Sequence, residues 1–251
     1  MIKVGCCGWG FYKRGLKAYA KEFGLVEVQQ TFYKLPLPQT AERWRKEVPE
    51  EFEFTCKAFQ AITHPPTSPT WRRSGIEVTE ETKNKYGLLR PTRENFEAWE
   101  RTKEICETLK ATVCVIQCPP TFGFTPENVK NLRKFFSEID RGKLFLAWEP
   151  RGDWKDHPEE IKKLCRELEL THVVDPMRRE PLSDHPLCYL RLHGLNPREY
   201  DYDYRYTEAE LKELARKLRK LEKDHEMVYC MFNNYAMYEN AKQLTRLLGS
   251  S

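Results

Sequence analysis

The sequence predicts an α/β fold, a (β/α)8 or TIM barrel, on three observations. Eight short apolar runs rich in β-branched residues are spread along 251 residues. Stretches of helical periodicity separate most of them, and that alternation builds a parallel sheet covered by helices. The G-x-G-x-x-G turn that opens a dinucleotide-binding sheet is missing.

The strand runs, in order, are residues 2–7, 25–30, 52–58, 112–118, 144–149, 171–175, 188–193 and 228–232. After the first, Leu16, Tyr19, Ala20 and Phe23 supply a short helix. Val129, Leu132, Phe136 and Ile139 step by three and four residues, as one buried helix face does. Ile161, Leu164, Cys165 and Leu168 repeat the pattern, and so do Leu211, Leu214, Leu218 and Leu221. Thr125-Pro126-Glu127 and Thr207-Glu208 read as helix starts, with Pro126 in a tolerated first-turn position. Two stretches depart from the ideal. Between Asp175 and Cys188 no helical pattern exists, so the sixth crossover is expected to be irregular. Residues 60–91, after the third strand, form a long excursion holding Trp71, Arg72, Arg73 and Tyr86. On a barrel such a loop lies over the carboxyl-end face, where active sites sit. With no repeat or linker, residues 1–251 read as one barrel domain.

Composition narrows the function classes. Forty-two Lys+Arg against 38 Asp+Glu leave a net charge of +4, too mild for a protein that coats nucleic acid. Apolar content of 40% and aromatic content of 12% exclude a disordered or collagen-like chain. No apolar run approaches the roughly 18 residues that span a bilayer. The amino terminus enters a strand at once instead of showing a secretory leader. A cytoplasmic protein with no membrane partner is therefore expected. Its nine cysteines then read as reduced. The 32% charged content resembles thermophile composition, which leaves disulfide pairing open. Cys106 and Cys165 fall on helix faces, and Cys56, Cys114, Cys188 and Cys230 within strands, all as small hydrophobes. Cys6, Cys7 and Cys118 lie near the barrel mouth, where a reactive thiol is conceivable.

Polar residues gather where the strands end. Side chains alternate along a strand, so Arg191 and His193 share a face, as do Glu27, Gln29 and Thr31. Lys57 closes the third strand, Gln117 the fourth, Glu149 the fifth and Asp175 the sixth. The eighth ends in Phe232-Asn233-Asn234. Such groups cost several kcal/mol to desolvate unless paired, so core packing alone does not account for them.

With these residues the chain resembles the YecE-like family, known as domain of unknown function 72. The matching motifs run in order along nearly the whole chain. They are Gly5, Gly8 and Trp9; Glu27, Thr31, Phe32 and Tyr33; Lys57, Thr63 and His64; and Gln117 with Pro119-Pro120. Glu149, Arg151 and Trp154 follow, then Arg191, His193 and Gly194, and last Phe232, Asn233, Asn234, Asn240 and Ala241. Gln29 stands where the family has Asn, and Cys118 where it has Leu. Gly152-Asp153 replaces a His-containing segment, so the family's His has no counterpart. The resemblance implies a TIM barrel and adds Trp9, Tyr33, His64, Arg151 and Trp154 to the candidate ligand contacts.

The functional expectation is a hydrolase or lyase at the carboxyl-end face, acting on an anionic substrate such as a phosphorylated, sugar- or nucleotide-containing compound. The other class kept open is a non-catalytic module that binds nucleic acid or a small anion. In the first reading His193 and Glu149 transfer protons, Arg191 and Arg151 bind the anion, and Lys57 stabilises developing charge. Lys57 and Glu149 also suit an acid/base or Schiff-base pair, or a buried salt bridge closing the barrel. Asp175 reads as a base or as the start of a turn before Pro176. Gln117, Asn233 and Asn234 orient the ligand, together with Glu27, Thr31 and Tyr206. Glu149, Asp175 and His193 form a conceivable divalent-metal set, disfavoured because further mouth histidines are scarce. No other cofactor and no oligomeric state is indicated. From Glu199 to Tyr206 tyrosines alternate with charges, as an aromatic platform or as a loop with its tyrosines on one side. Tyr206 is the preferred contact, because a Tyr before the seventh helix also fits the family pattern. Trp71-Arg72-Arg73 and Arg178-Arg179 suit a positive mouth rim, or simply solvated loops.

Overall fold

The computed structural model describes residues 1–249. Eight parallel strands form one sheet: β1 Ile2–Cys6, β2 Leu25–Val28, β3 Glu53–Lys57, β4 Val113–Gln117, β5 Phe145–Glu149, β6 Leu170–His172, β7 Leu187–Leu192 and β8 Met227–Phe232. The strands from β1 to β6 pair in sequence order, β7 pairs with β8, and β8 pairs with β1, from Ile2 opposite Val228 to Cys6 opposite Phe232. At the last seam, between β6 and β7, one bridge joins Val174 and Leu190, and the amide of Arg191 donates to the carbonyl of Val174 at 3.1 Å. The result is a nearly closed (β/α)8 barrel.

Nine α-helical segments fill the crossovers among the described residues. They are α1 Gly15–Tyr19, α2 Gln30–Tyr33, α3 Pro38–Lys46, α4 Gln60–Thr63, α5 Arg93–Thr108, α6 Pro126–Glu138, α7 Pro158–Glu167, α8 Glu208–Asp224 and α9 Met237–Gly249. Their starts follow local chemistry. The Thr125 hydroxyl accepts the Asn128 amide ahead of α6, and Thr207 and Glu210 form a reciprocal capping box at α8. Among the described residues no helix joins β6 to β7, as the Pro-rich sequence there predicts. The excursion at 60–91 holds α4 and a 3-10 turn at Trp71–Arg73 and folds back on itself, the Gly87 amide donating to the carbonyl of Ala61 at 2.7 Å.

Strand parity sorts the core. Cys7, Leu25, Val113, Val115, Ala147, Val173, Leu187, Tyr189, Tyr229 and Met231 fill the barrel interior, and all carry odd numbers. Even-numbered strand residues such as Val26, Phe54, Ile116, Trp148, Leu190 and Phe232 face outward into the larger core beneath the helices. Gly5 falls on the inward set, and a Cβ there would meet the Leu25 carbonyl oxygen at 2.4 Å, so only glycine lets β1 approach β2 so closely. At the amino-end floor Lys3 pairs with Glu53, which also accepts the Tyr229 hydroxyl. Among the described residues no helix is long and apolar enough to cross a membrane.

Candidate functional site

The odd-numbered face carries polar groups to the carboxyl ends. Glu27, Lys57, Gln117, Glu149 and Arg191 lie on strands, and Asp175, His193 and Asn233 just beyond them. Asn233 is half-buried, and Gln117 donates to the carbonyl of Cys118 at 3.1 Å.

Arg191 sits at the centre, fully buried. Its Nη2 donates to Glu27 Oε1 at 3.0 Å, its Nη1 donates to Glu149 Oε2, and Cys7 Sγ lies 3.7 Å from Nη2. Arg151 donates to the other Glu149 oxygen through Nε at 2.7 Å and Nη2 at 2.6 Å. Glu27 also accepts the Gln29 amide and, at 2.9 Å, the Tyr189 hydroxyl, which lies 2.8 Å from that of Thr55. Burial alone would raise the Glu149 carboxyl, but Arg151 and Arg191 outweigh it and hold it well below the usual range. Two expected roles therefore do not fit. Glu149 has both oxygens engaged and stays ionised, which removes it as a proton carrier. Arg191 lines the cavity but has both terminal nitrogens on carboxylates, which leaves only its Nε without a partner among the described residues and weakens it as a bidentate anion clamp. The pair forms a charged keystone, costly to bury and costlier to break.

Three groups near the keystone keep unspent chemistry. Lys57 is 7% exposed, and its Nζ stands 3.9 Å over the Phe32 ring with no carboxylate or hydrogen-bond partner among the described residues. Burial, reinforced by Arg191 and Arg151, lowers its amine to about 7 against the pull of Glu149 and Glu27. Asp175 accepts the Met177 amide at 2.9 Å and the His193 amide at 3.2 Å, and burial raises its carboxyl to about 6 despite those bonds. The His193 ring lies 5.4 Å from Tyr200 and 5.7 Å from Tyr202, with Nε2 buried and, among the described residues, unpartnered. Burial drives this imidazole well below its ordinary range, so it is neutral. A cavity of about 410 Å³ opens beside Asp175 and His193, and Glu149, Arg151, Lys155, Arg191 and Tyr200 are also in its lining. Among the described residues no three His, Cys, Asp or Glu side chains are grouped to hold a metal ion. The conceivable set of Glu149, Asp175 and His193 accordingly fails on geometry.

Other expected contacts turn out to be structural. The Thr31 hydroxyl bonds the carbonyls of Val28 at 2.9 Å and Lys57 at 2.6 Å, because β2 stops at Val28 and Gln29 takes helical angles (φ −84°, ψ −25°). Parity with Glu27 is lost at that point. Trp154 is fully buried, its indole donating to the carbonyl of Phe122 at 2.6 Å. Tyr206 is 2% exposed and its hydroxyl accepts the Gly194 amide at 2.9 Å, while Asn234 ties the carbonyl of Tyr204 to Asn240. The preference for Tyr206 as a contact is thus reversed: Tyr200 lines the cavity, its ring 3.8 Å from the Arg151 guanidinium. His64 packs on Phe32 with Nδ1 2.8 Å from the Thr63 hydroxyl, and burial lowers it to about 3. Trp9 is half-buried against Trp44, and Tyr33 lies under Arg73 at 3.8 Å. The proposed positive rim is largely spent: Arg178 is held by the carbonyls of Gly194 and Asn196, Arg179 pairs with Glu199, and Trp71 is buried. All nine cysteines are free and buried. Burial raises the thiols of Cys6 and Cys7 well above the ordinary value and that of Cys118 to about 12, which makes the mouth thiols unreactive. Tyr189 and Phe32 escape sequence reasoning as site residues, although Tyr189 shares the Arg191 face by parity.

Comparison with known proteins adds to this geometry. The YunF protein of Bacillus subtilis (strain 168), a UPF0759 protein, is 27% identical over 287 residues, covering 99% of this chain and 95% of YunF. The crystal structure of a DUF72 family protein from Thermotoga maritima MSB8 superposes with a TM-score of 0.76 at 27% identity, covering 99% of both chains. Endonuclease IV from Thermus thermophilus shares the fold alone, with a TM-score of 0.56 at 10% identity over 99% of this chain and all of that one. The family described as protein of unknown function DUF72 matches residues 3–251. The chain therefore belongs to the DUF72 family.

Proposed function

We propose that this protein is an enzyme, a hydrolase or lyase, that performs acid–base chemistry on a small anionic substrate in the cavity at the carboxyl ends of β5 to β7. One observation carries the reading. Asp175, whose carboxyl is raised to about 6, and the neutral His193 share that cavity with Arg151 and Lys155, while Arg179 there is paired with Glu199. A carboxyl that titrates near neutrality beside a neutral imidazole inside a cleft suits proton transfer. The cavity-facing edge of Arg151 and the ammonium of Lys155 take the anion, Tyr200 covers one wall, and Asp175 and His193 face the reacting atoms. Glu149 and Arg191 hold the frame and take no part in the proton transfers.

The test is turnover of a panel of phosphate monoesters, sugar phosphates and nucleotides by the intact chain, repeated with Asp175→Asn and His193→Ala. The expected result is turnover of at least one compound, with kcat lowered about 100-fold or more in each variant. Turnover undiminished in both variants overturns the assignment of these residues. Tight binding of a panel compound without turnover favours the non-catalytic alternative.

A further inference from the structure

Among the described residues no carboxylate pairs with the Lys57 amine. Arg191 spans Glu27 and Glu149, and Arg151 is committed to Glu149, whereas the Lys57 amine stands over the face of Phe32. β3 aims it into the mouth on the inward parity set, 7% exposed. The charged and titratable groups that act on it come from several elements: Arg191 from β7, Arg151 and Glu149 at the end of β5, and Glu27 from β2, with His64 also sensing its charge. The two carboxylates are bonded to guanidinium groups, and their pull on the amine is outweighed by burial and by Arg191 and Arg151. A structural lysine would be expected to seek a carboxylate here; this one is stacked on an aromatic face with its nitrogen unbonded.

We propose that Lys57 is a nucleophilic amine that captures the carbonyl carbon of a small anionic aldehyde or ketone as an imine. The lone pair of the neutral amine forms the C–N bond while the carbonyl π pair moves to oxygen. The resulting carbinolamine loses that oxygen as water together with the two amine hydrogens, leaving C=N. Protonation of the imine nitrogen then gives an iminium that withdraws electrons from the adjacent carbon. The amine is lowered to about 7, so a large fraction is neutral at physiological pH, where an exposed lysine is almost wholly protonated. The choice of an anionic carbonyl compound rests on the acid–base reading above, which places an anion beside Arg151; imine formation at Lys57 does not.

The experiment uses the intact chain with glycolaldehyde phosphate and, in parallel, unphosphorylated glycolaldehyde, each with sodium cyanoborohydride as the reductant that converts the iminium to a stable secondary amine. Intact mass and peptide mapping read the adduct. The expected result is one adduct per chain on Lys57, formed at least 10-fold faster than on exposed lysines and lost in Lys57→Arg. On the wild-type chain alone, the labelling rate of Lys57 should rise with a midpoint near 7, which keeps the test independent of how the variant folds. Adducts confined to exposed lysines, or a Lys57 midpoint above about 9, overturn the proposal. Equal labelling of Lys57 by both aldehydes supports the amine and removes the anionic substrate. Calorimetric binding of inorganic phosphate with Lys57 unlabelled supports the anion reading and overturns this one.

Discussion

At the scale of single residues, charge placement decides what each polar group can do. Arg191 and Glu149 have the residue types of a catalytic pair, yet Glu149 has both oxygens engaged and Arg191 both terminal nitrogens, which makes them scaffold. Glu149→Gln would leave Arg191 and Arg151 buried without their shared counter-ion. We expect a loss of about 3–5 kcal/mol in unfolding free energy, read from urea denaturation. A loss below about 1 kcal/mol would show that the keystone is not where the buried charges are balanced. Tyr189→Phe removes the hydroxyl that joins Thr55 to Glu27 and should cost about 1–3 kcal/mol by the same measurement. These residue types and their shared strand face are legible in the sequence. Which carboxylate meets which guanidinium is not, because the partners lie up to 164 residues apart.

At the scale of elements, the strong local signals are the ones that hold. Threonine caps mark α6 and α8, with a first-turn proline and a mixed apolar face at α6 and a leucine face at α8, and both helices form there. The periodicity of α5 is obscured because its buried face includes Asn95 and Thr102 alongside Ala98, Trp99, Ile105 and Cys106. Asn95 is buried to hold the excursion, bonding the Gly87 amide at 3.1 Å and the carbonyls of Gly87 and Arg90. A tertiary hydrogen-bonding duty overrides the apolar pattern. The end of β2 departs from its sequence pattern for a similar reason: Thr31 turns to bond the carbonyl of Lys57 on the next strand instead of continuing the alternation. Two substitutions test the element boundaries. Thr207→Ala should destabilise the chain by about 1 kcal/mol through loss of the α8 capping box. Gly5→Ala should cost about 1–3 kcal/mol, because the added Cβ meets a backbone oxygen that β2 cannot move without breaking its pairing with β3. Thermal melts of the two variants would rank them, and the reverse order would contradict the close approach of β1 and β2.

Across the whole molecule, the buried titratable groups bias stability toward neutral pH. Burial lowers His64 and His172 to about 3 in the folded chain, against about 6.5 when unfolded. Between those values the unfolded chain binds more protons, so stability falls as pH drops from about 6.5 toward 3. Glu149, held low by its arginines, acts in the same direction below its unfolded value of about 4.5. Asp175 opposes them: its raised carboxyl binds protons preferentially in the folded state, which favours folding as pH falls from about 6 toward 4. The expected net result is a urea midpoint that drops steadily below pH 6.5, with His172→Phe flattening part of that slope. A midpoint constant from pH 7 to 4 would contradict the burial of these imidazoles.

The barrel and its polar mouth are written in the chain itself. Eight strand runs, their alternation with helices and a two-residue side-chain period are local properties, and local chemistry fixes them. The family is legible on the same grounds, since its motifs sit at successive strand ends. Which mouth residues are free to react is a matter of packing. Hydrogen-bond saturation and desolvation depend on partners brought together from different strands, and those partners bind Glu149 and Arg191 to each other. The same packing seats Tyr206 and Trp154 in the core and leaves Lys57, Asp175 and His193 with chemistry to spare.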